Sequence, residues 1–467
     1  MSKSSLGGAK RTNCSIASAV VAIAMGLSAP SSWALPSFAR QMNLQCIACH
    51  TDFPQLTDMG RQFKLSGYTM SAETSDLPPI AFMLQPSFTQ TQSGQAGGAA
   101  PGFTDNNNFA VSQFSVFYAG RLFGPYASKL LGGAADSFLN KFGIFNQTTY
   151  DGVAKAWSWD NTDVRYADSG SVGAHNVQFG LYANNNPTLG DPWNSTPAWG
   201  SPFSGSKLAP TPAAGAIIDG GFAQMVAGCG AYAMIDSSYY VDVGAYRSIG
   251  SKYLRALGVD PTGANRIVGA APYWRVAYTK PVNDITYEVG LFGLGADMYP
   301  GGVSSSGKDR ITDVGIDSQI QTSVGSSDIT ALVTAIHEHD GWGASQPLGN
   351  TANASDSLTE FKASVDYLWD KTYGGVVQYF ATSGSGDALL YPTSQTGSPN
   401  SNGFVFQLNY FPLNKVTGPS FWPRSNVKLS LQYVVYTRFD GSVTNIDGAS
   451  RNARGNDTLY LEAWIAF

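Results

Sequence analysis

The chain has 467 residues, of which 52 are glycine, 12% are aromatic and only 13% are charged, whereas typical soluble domains contain about 25% charged residues. Its mean hydropathy is nonetheless -0.10, and no run of about 18 apolar residues that could span a bilayer as a helix follows the N-terminal region. The formal net charge of -5 argues against a nucleic-acid partner, because nucleic-acid-binding proteins present basic surfaces. The composition therefore excludes a bundle of membrane-spanning helices and favours a β-rich chain.

The first 34 residues have the pattern of an export signal. Lys3, Lys10 and Arg11 precede an apolar run at 16–27, and Ala34 ends a small-x-small cleavage site. The alternative, a buried helix of a cytoplasmic domain, does not require these three parts in this order. Residues 1–34 are therefore predicted to be a signal peptide.

A C-x-x-C-H motif follows at residues 46–50. Thiols at this spacing reach the two vinyl groups of one haem, and the adjacent imidazole binds the iron. Cys46 and Cys49 are therefore predicted to hold haem c covalently, with His50 as the axial ligand. The alternatives are a structural zinc site, which needs a second ligand pair, and a thioredoxin-like pair, which needs a βαβ context.

The residues that complete a haem site are less well determined by sequence. Arg40, Arg61 and Lys64 are candidates to pair with the haem propionates, and ordinary solvated charges are the alternative. The sixth iron position is open or is filled by a thioether or a distant imidazole. The candidates are Met59, Met70, His175, His337 and His339.

From residue 79 to the end, sixteen segments alternate apolar and polar residues as strands with two different faces do. The odd-numbered connections are long and rich in Gly, Ser, Asn and Pro, whereas most even-numbered turns are short, with exceptions near 124–139 and 413–425. The segment 459–467 alternates up to a terminal phenylalanine. The predicted fold class is an all-β, antiparallel transmembrane barrel of about sixteen strands (79–467), preceded by a short haem-binding segment (35–78). One example of the alternation is Phe361, Ala363, Val365, Tyr367 and Trp369 against Lys362, Ser364, Asp366 and Asp370.

The segment from Leu35 to Tyr68 resembles the N-terminus of the outer-membrane monohaem c-type cytochrome-porin fusions of the iron(II)-oxidising type. This resemblance implies extracellular oxidation of Fe(II), with the electron passed to a periplasmic carrier such as a cytochrome or a cupredoxin. The chain would then be an iron(II):cytochrome c oxidoreductase, or otherwise an electron-transfer protein. The resemblance rests on Pro36, Phe38, Ala39, Arg40, the motif itself, Pro54, Leu56, Gly60, Arg61, Phe63, Gly67 and Tyr68.

Three functions compete at this point. In the first, the N-terminal segment folds into the lumen of an outer-membrane barrel, which supplies the walls of the haem site. In the second, the barrel is a diffusion porin and the haem segment is an appended periplasmic carrier or sensor. In the third, the protein is a haem enzyme such as a peroxidase. A separate metal site at His337 and His339, two residues apart on one strand face, is a further alternative to their being polar rim residues.

Overall fold

A computed structural model describes residues 35–72, 78–123, 137–415 and 424–467. The predicted signal peptide, residues 1–34, lies outside the described residues. In the described part of the chain, no helix has the length and apolar character needed to cross a membrane.

Sixteen antiparallel strands form one closed barrel, in which each strand pairs with its neighbours in sequence and β1 pairs with β16. Closure leaves no sheet edge with unpaired N–H and C=O groups. The predicted antiparallel barrel of sixteen strands is confirmed. The strands are β1 (Ile80–Thr91), β2 (Asn108–Arg121), β3 (Phe142–Asp151), β4 (Ala156–Val172), β5 (His175–Asn184), β6 (Val226–Ile235), β7 (Tyr239–Ser248), β8 (Ala271–Val282), β9 (Ile285–Met298), β10 (Asp309–Val324), β11 (Ser327–Gly341), β12 (Ser355–Trp369), β13 (Tyr373–Gly384), β14 (Ser401–Tyr410), β15 (Asn426–Arg438) and β16 (Thr458–Ala466).

The two faces of the barrel differ in the way the alternating sequence predicts. In β12, Val365 and Tyr367 are 51% and 45% exposed on the outside, whereas Ser364 and Asp366 are buried in the interior. Successive side chains of a strand point to opposite faces, so a period of two separates an apolar exterior from a polar interior. The exterior is the kind of surface that contacts lipid.

The connections give the barrel two distinct ends. At the end that we call the loop end, the connections are long, apart from the tight 152–155 connection between β3 and β4. At the opposite turn end, most are short, as at 173–174 and 283–284, and 122–141 and 411–425 are the long exceptions that the sequence predicts. The chain enters β1 and leaves β16 at the turn end, where the backbones of Phe82 and Phe467 pair.

The segment before the barrel is helical and compact. Helix α1 (Pro36–Met42) begins with a proline at its first turn and ends at Asn43, which has a positive φ of 51°. A single 3-10 turn covers Cys46–Ala48, and α2 (Asp58–Leu65) follows. A further short helix, α3 (Ser251–Ala256), lies in the connection between β7 and β8.

Two stretches of chain lie inside the barrel. One is the N-terminal segment 35–72, and the other is the β5–β6 connection, residues 185–225, which we call the lumen loop. Within that loop, Trp193 is 1% exposed, and Asp191 lies 3.3 Å from Arg275 of the β8 wall. The sequence predicts most of this stretch as a long connection, but its position inside the barrel is a finding of the structure.

Candidate functional site

The C-x-x-C-H motif forms a tight turn. The backbone N–H groups of Cys49 and His50 both donate to the carbonyl oxygen of Cys46, at 2.9 and 2.7 Å. Cys46 is buried, Cys49 is half-buried, and neither is in a disulfide. Neither thiol is therefore used by a disulfide; Cys49 lines the cavity described below, whereas Cys46 packs in a core cluster with Ala39 and does not.

Helix α2 fixes this turn from one side. Thr57 caps the helix. Its Oγ1 donates to the carbonyl oxygen of Ala48 at 2.6 Å, and its backbone N–H donates to the carbonyl oxygen of Cys49 at 3.0 Å. A Cβ on Gly60 would overlap the Cys49 carbonyl oxygen, so the approach of the helix to the motif requires glycine here. The residues after the motif thus hold it in position.

The surroundings of His50 favour a neutral imidazole. Its Nδ1 lies 3.2 Å from the carbonyl oxygen of Gln55, and burial lowers its pKa to about 4. A neutral imidazole that donates through Nδ1 keeps its lone pair on Nε2, the usual arrangement of a metal-bound histidine with a backbone acceptor behind it.

Cys49 and His50 line a cavity of about 350 Å³ inside the barrel, a size within the usual range for small-molecule and cofactor sites. Most of its lining is apolar or aromatic. The apolar and aromatic contributors from the N-terminal segment are Leu35, Phe38, Ala39, Met42, Leu44, Phe53, Pro54, Leu56, Phe63 and Tyr68; those from the barrel wall are Met83, Phe117, Phe145, Trp464 and Ala466; and those from the lumen loop are Trp199 and Phe203.

Aromatic rings from these three sources pack on each other around the cavity. The Phe53 ring lies 5.1 Å from that of His50 and 5.8 Å from that of Trp464. On the other side, the Trp199 ring lies 5.9 Å from that of Phe145 and 5.8 Å from that of Phe203. The sequence points to the motif but not to these walls, because they come from strands and a loop that are distant along the chain.

Several strands of the barrel wall form hydrogen bonds with the N-terminal segment. Gln55 donates to Asp366 of β12 at 2.9 Å, and Tyr68 donates to Asp163 of β4 at 2.7 Å. The wall also makes room for the segment, since a Cβ on Gly143 of β3 would overlap the carbonyl oxygen of Gly67. The segment is therefore part of the barrel interior.

The three candidate propionate partners differ in position. Lys64 lines the cavity. Arg61 does not line the cavity. Its guanidinium donates instead to Asp58, the Leu56 carbonyl oxygen, Gln319 and Gln321. Arg40 also lies off the cavity and donates to the Ile80 carbonyl oxygen at 2.5 Å.

The candidate distal ligands do not gather at the cavity. Met59 is 39% exposed and Met70 packs against the neighbouring core, and neither lines the cavity. The methionines that do are Met42 and Met83, which the sequence does not single out because Met83 belongs to a barrel strand. Met59 and Met70, two of the candidates for the sixth iron position, are therefore not placed at the cavity.

The three other histidines are also remote from the cavity. His175 is exposed near a turn and pairs with Asp236 at 2.6 Å. His337 and His339 are exposed on β11, on the face opposite the buried Glu338, which is the outward position that the sequence predicts. The described residues contain no group of three or more His, Cys, Asp or Glu side chains that could hold a metal ion.

Several residues at the cavity fit a covalently attached haem, while Cys46, the second thiol of the motif, does not line it. Cys49 and a neutral His50 line it together, its walls are aromatic, and a buried cation lies at its edge. Haem sites combine an axial imidazole with apolar walls in this way. Haem binding stays a prediction, supported by this fit.

No family model and no curated protein matches the sequence. Among solved structures, the chain is similar to an anion-selective porin from Comamonas acidovorans, at 11% identity and a TM-score of 0.44 over 83% of this chain and 98% of that one. It is also similar to the outer membrane channel DcaP of Acinetobacter baumannii, at 10% identity and a TM-score of 0.45 over 85% and 100%. A third neighbour is Pseudomonas putida OprB, at 11% identity and a TM-score of 0.44 over 83% and 93%. Similarity at this level carries no conclusion about activity.

Proposed function

We propose that this chain is an outer-membrane electron-transfer protein of the monohaem cytochrome-porin type, in which a c-type haem attached to Cys46 and Cys49 occupies the lumen cavity. The observation that supports this most directly is that Cys49 and His50 line an aromatic-walled cavity inside a closed barrel. The apolar exterior of the barrel supports an outer-membrane location.

The residues around the cavity have separable roles in this proposal. His50 would bind the iron through Nε2 while the Gln55 carbonyl oxygen fixes its ring. Phe53, Trp199 and Trp464 would cover the ring faces and edges and exclude water. A haem bound there would supply one-electron redox chemistry at a potential set by its ligands and its burial.

The direction of transfer combines the orientation of the barrel with the resemblance of the haem segment. The short turns of outer-membrane barrels face the periplasm, so we infer that an electron enters from the loop end and leaves at the turn end. By the resemblance of the haem segment, the donor is extracellular Fe(II), which becomes Fe(III), and the acceptor is an oxidised periplasmic carrier.

A diffusion porin is the second candidate, because a sixteen-strand barrel is the architecture of such channels and the coarse fold supports it. The lumen weighs against an open pore. Residues 35–72 and the lumen loop both lie inside it and contact each other, since Lys64 donates to Asn194 at 2.8 Å. The position of residues 35–72 inside the lumen also weighs against a haem segment that extends into the periplasm.

The decisive experiment combines two measurements on the purified protein in lipid vesicles. Haem staining of a denaturing gel tests covalent attachment, with the double variant Cys46→Ala, Cys49→Ala as the control. Stopped-flow mixing of the oxidised protein with Fe2+ then follows the haem absorption bands. We expect stained wild type, unstained variant and rapid haem reduction.

Channel recordings on the same samples separate the two candidates. An electron-transfer barrel with a filled lumen passes little ion current. A haem-free protein, or one with large stable channels and no reduction by any donor tested, would favour the porin.

A further inference from the structure

The cavity contains one cation whose role the proposed function leaves open. Lys64, near the end of α2, is 5% exposed, and among the described residues that line the cavity it is the sole lysine or arginine. In the described part of the chain, Asp160 is the one acidic residue of the lining, and it accepts hydrogen bonds from Thr149 and Gln224. A positive charge buried against aromatic rings needs a partner to offset its desolvation.

The neighbours of Lys64 supply only part of that compensation. Its Nζ donates to the carbonyl oxygen of Asp191 at 2.5 Å and to Oδ1 of Asn194 at 2.8 Å, and it lies 4.9 Å from the centroid of the Trp199 ring. Both acceptors are neutral. An ammonium group has three N–H donors, so these two bonds leave one donor for a further acceptor.

The two carboxylates near Lys64 form ion pairs with other residues. Asp191 pairs with Arg275 and accepts the N–H groups of Ser195 and Thr196, while Asp163 pairs with Arg165 at 2.7 Å. In the described part of the chain, none of the ion pairs includes Lys64. In agreement with this, burial lowers the pKa of Lys64 to about 7.

We propose that Lys64 binds an acidic side group of the cavity ligand, which for a haem is a propionate. An ammonium–carboxylate hydrogen bond would use the remaining donor and neutralise both buried charges. The geometry selects Lys64 over Arg61 and Arg40, because neither guanidinium lines the cavity. The inference rests on the proposed function, since it needs a haem in this site.

The test is the haem reduction potential, measured by spectroelectrochemical titration of the detergent-solubilised holoprotein. A positive charge beside the haem favours the ferrous state, so Lys64→Met and Lys64→Gln should lower the potential while Lys64→Arg stays close to wild type. Lys207→Met serves as the control, because Lys207 forms an exposed pair with Asp151 outside the cavity lining.

Each outcome decides the proposal. An unchanged potential in both neutral variants at full haem content overturns it. If neither neutral variant retains haem but Lys64→Arg does, the need for a positive charge supports it; if Lys64→Arg also fails, the role of Lys64 is structural and the proposal falls. A wild type without covalent haem would instead refute the proposed function, and that is established before any variant is made.

Discussion

Lys428 and Asp52 form a buried ion pair 2.7 Å long, with side chains 2% and 6% exposed. Asp52 follows the C-x-x-C-H motif, and Lys428 lies on the inner face of β15, 376 positions away in sequence. Lys428 also donates to the Phe53 carbonyl oxygen at 3.3 Å. This pair ties the candidate haem turn to the barrel wall.

Replacing Lys428 by Met should loosen the N-terminal segment. Breaking a buried pair from one side costs roughly 3–5 kcal/mol, because the other charge is left uncompensated. We expect residues 35–72 to become susceptible to added protease in folded, detergent-solubilised protein. Lys207→Met is the matched control, since exposed pairs contribute only about 0–1 kcal/mol. Equal protection in both variants would contradict the anchoring role.

The contact between Gly60 and the motif gives a second prediction. In Gly60→Ala, the new methyl group meets the Cys49 carbonyl oxygen, and overpacking of this kind costs about 1–3 kcal/mol. Displacing α2 should misplace His50, so haem content per folded barrel should fall. Gly170→Ala is the control, because a Cβ there meets no atom within 4 Å. Wild-type haem content in Gly60→Ala would show that the close approach is dispensable.

The cavity lining predicts how the methionines behave. Met59→Leu and Met70→Leu should leave the haem absorption spectrum unchanged, because neither side chain lines the cavity. Any spectral feature that depends on a thioether ligand should disappear with Met42→Leu or Met83→Leu. Loss of such a feature in Met59→Leu would mean that the segment is arranged differently around the bound group.

Asp191 holds the lumen loop in place. Its carboxylate accepts the backbone N–H groups of Trp193, Ser195 and Thr196 at 2.8–3.1 Å and pairs with Arg275. In Asp191→Ala these donors lose their acceptor, at about 1–3 kcal/mol for each buried group left unpaired. We expect the loop to leave the lumen intermittently, which single-channel recordings in planar bilayers would detect as brief openings.

The control for this measurement is Asp447→Ala, which removes an exposed carboxylate that accepts N–H groups within the 439–457 connection. It should not change the current. Silent recordings from Asp191→Ala would show that the lumen stays filled without this anchor.

Local sequence patterns were enough to predict the barrel. The alternation of Val365 and Tyr367 with Ser364 and Asp366 reflects a property of each strand alone, its period of two. The lengths of the connections can also be read directly from the sequence. The haem prediction is local for the same reason, because the spacing of Cys46, Cys49 and His50 is itself the chemical signature.

By itself, then, the sequence determined the strand number and the two faces of the sheet and supplied the C-x-x-C-H motif, all of which depend on residues a few positions apart. Only the tertiary structure decided that residues 35–72 and 185–225 fill the lumen, and that Met83, Trp199 and Trp464 meet Lys64 and His50 around one cavity. The physical reason is that barrel closure fixes which distant residues face each other, and no spacing within a single segment encodes that geometry.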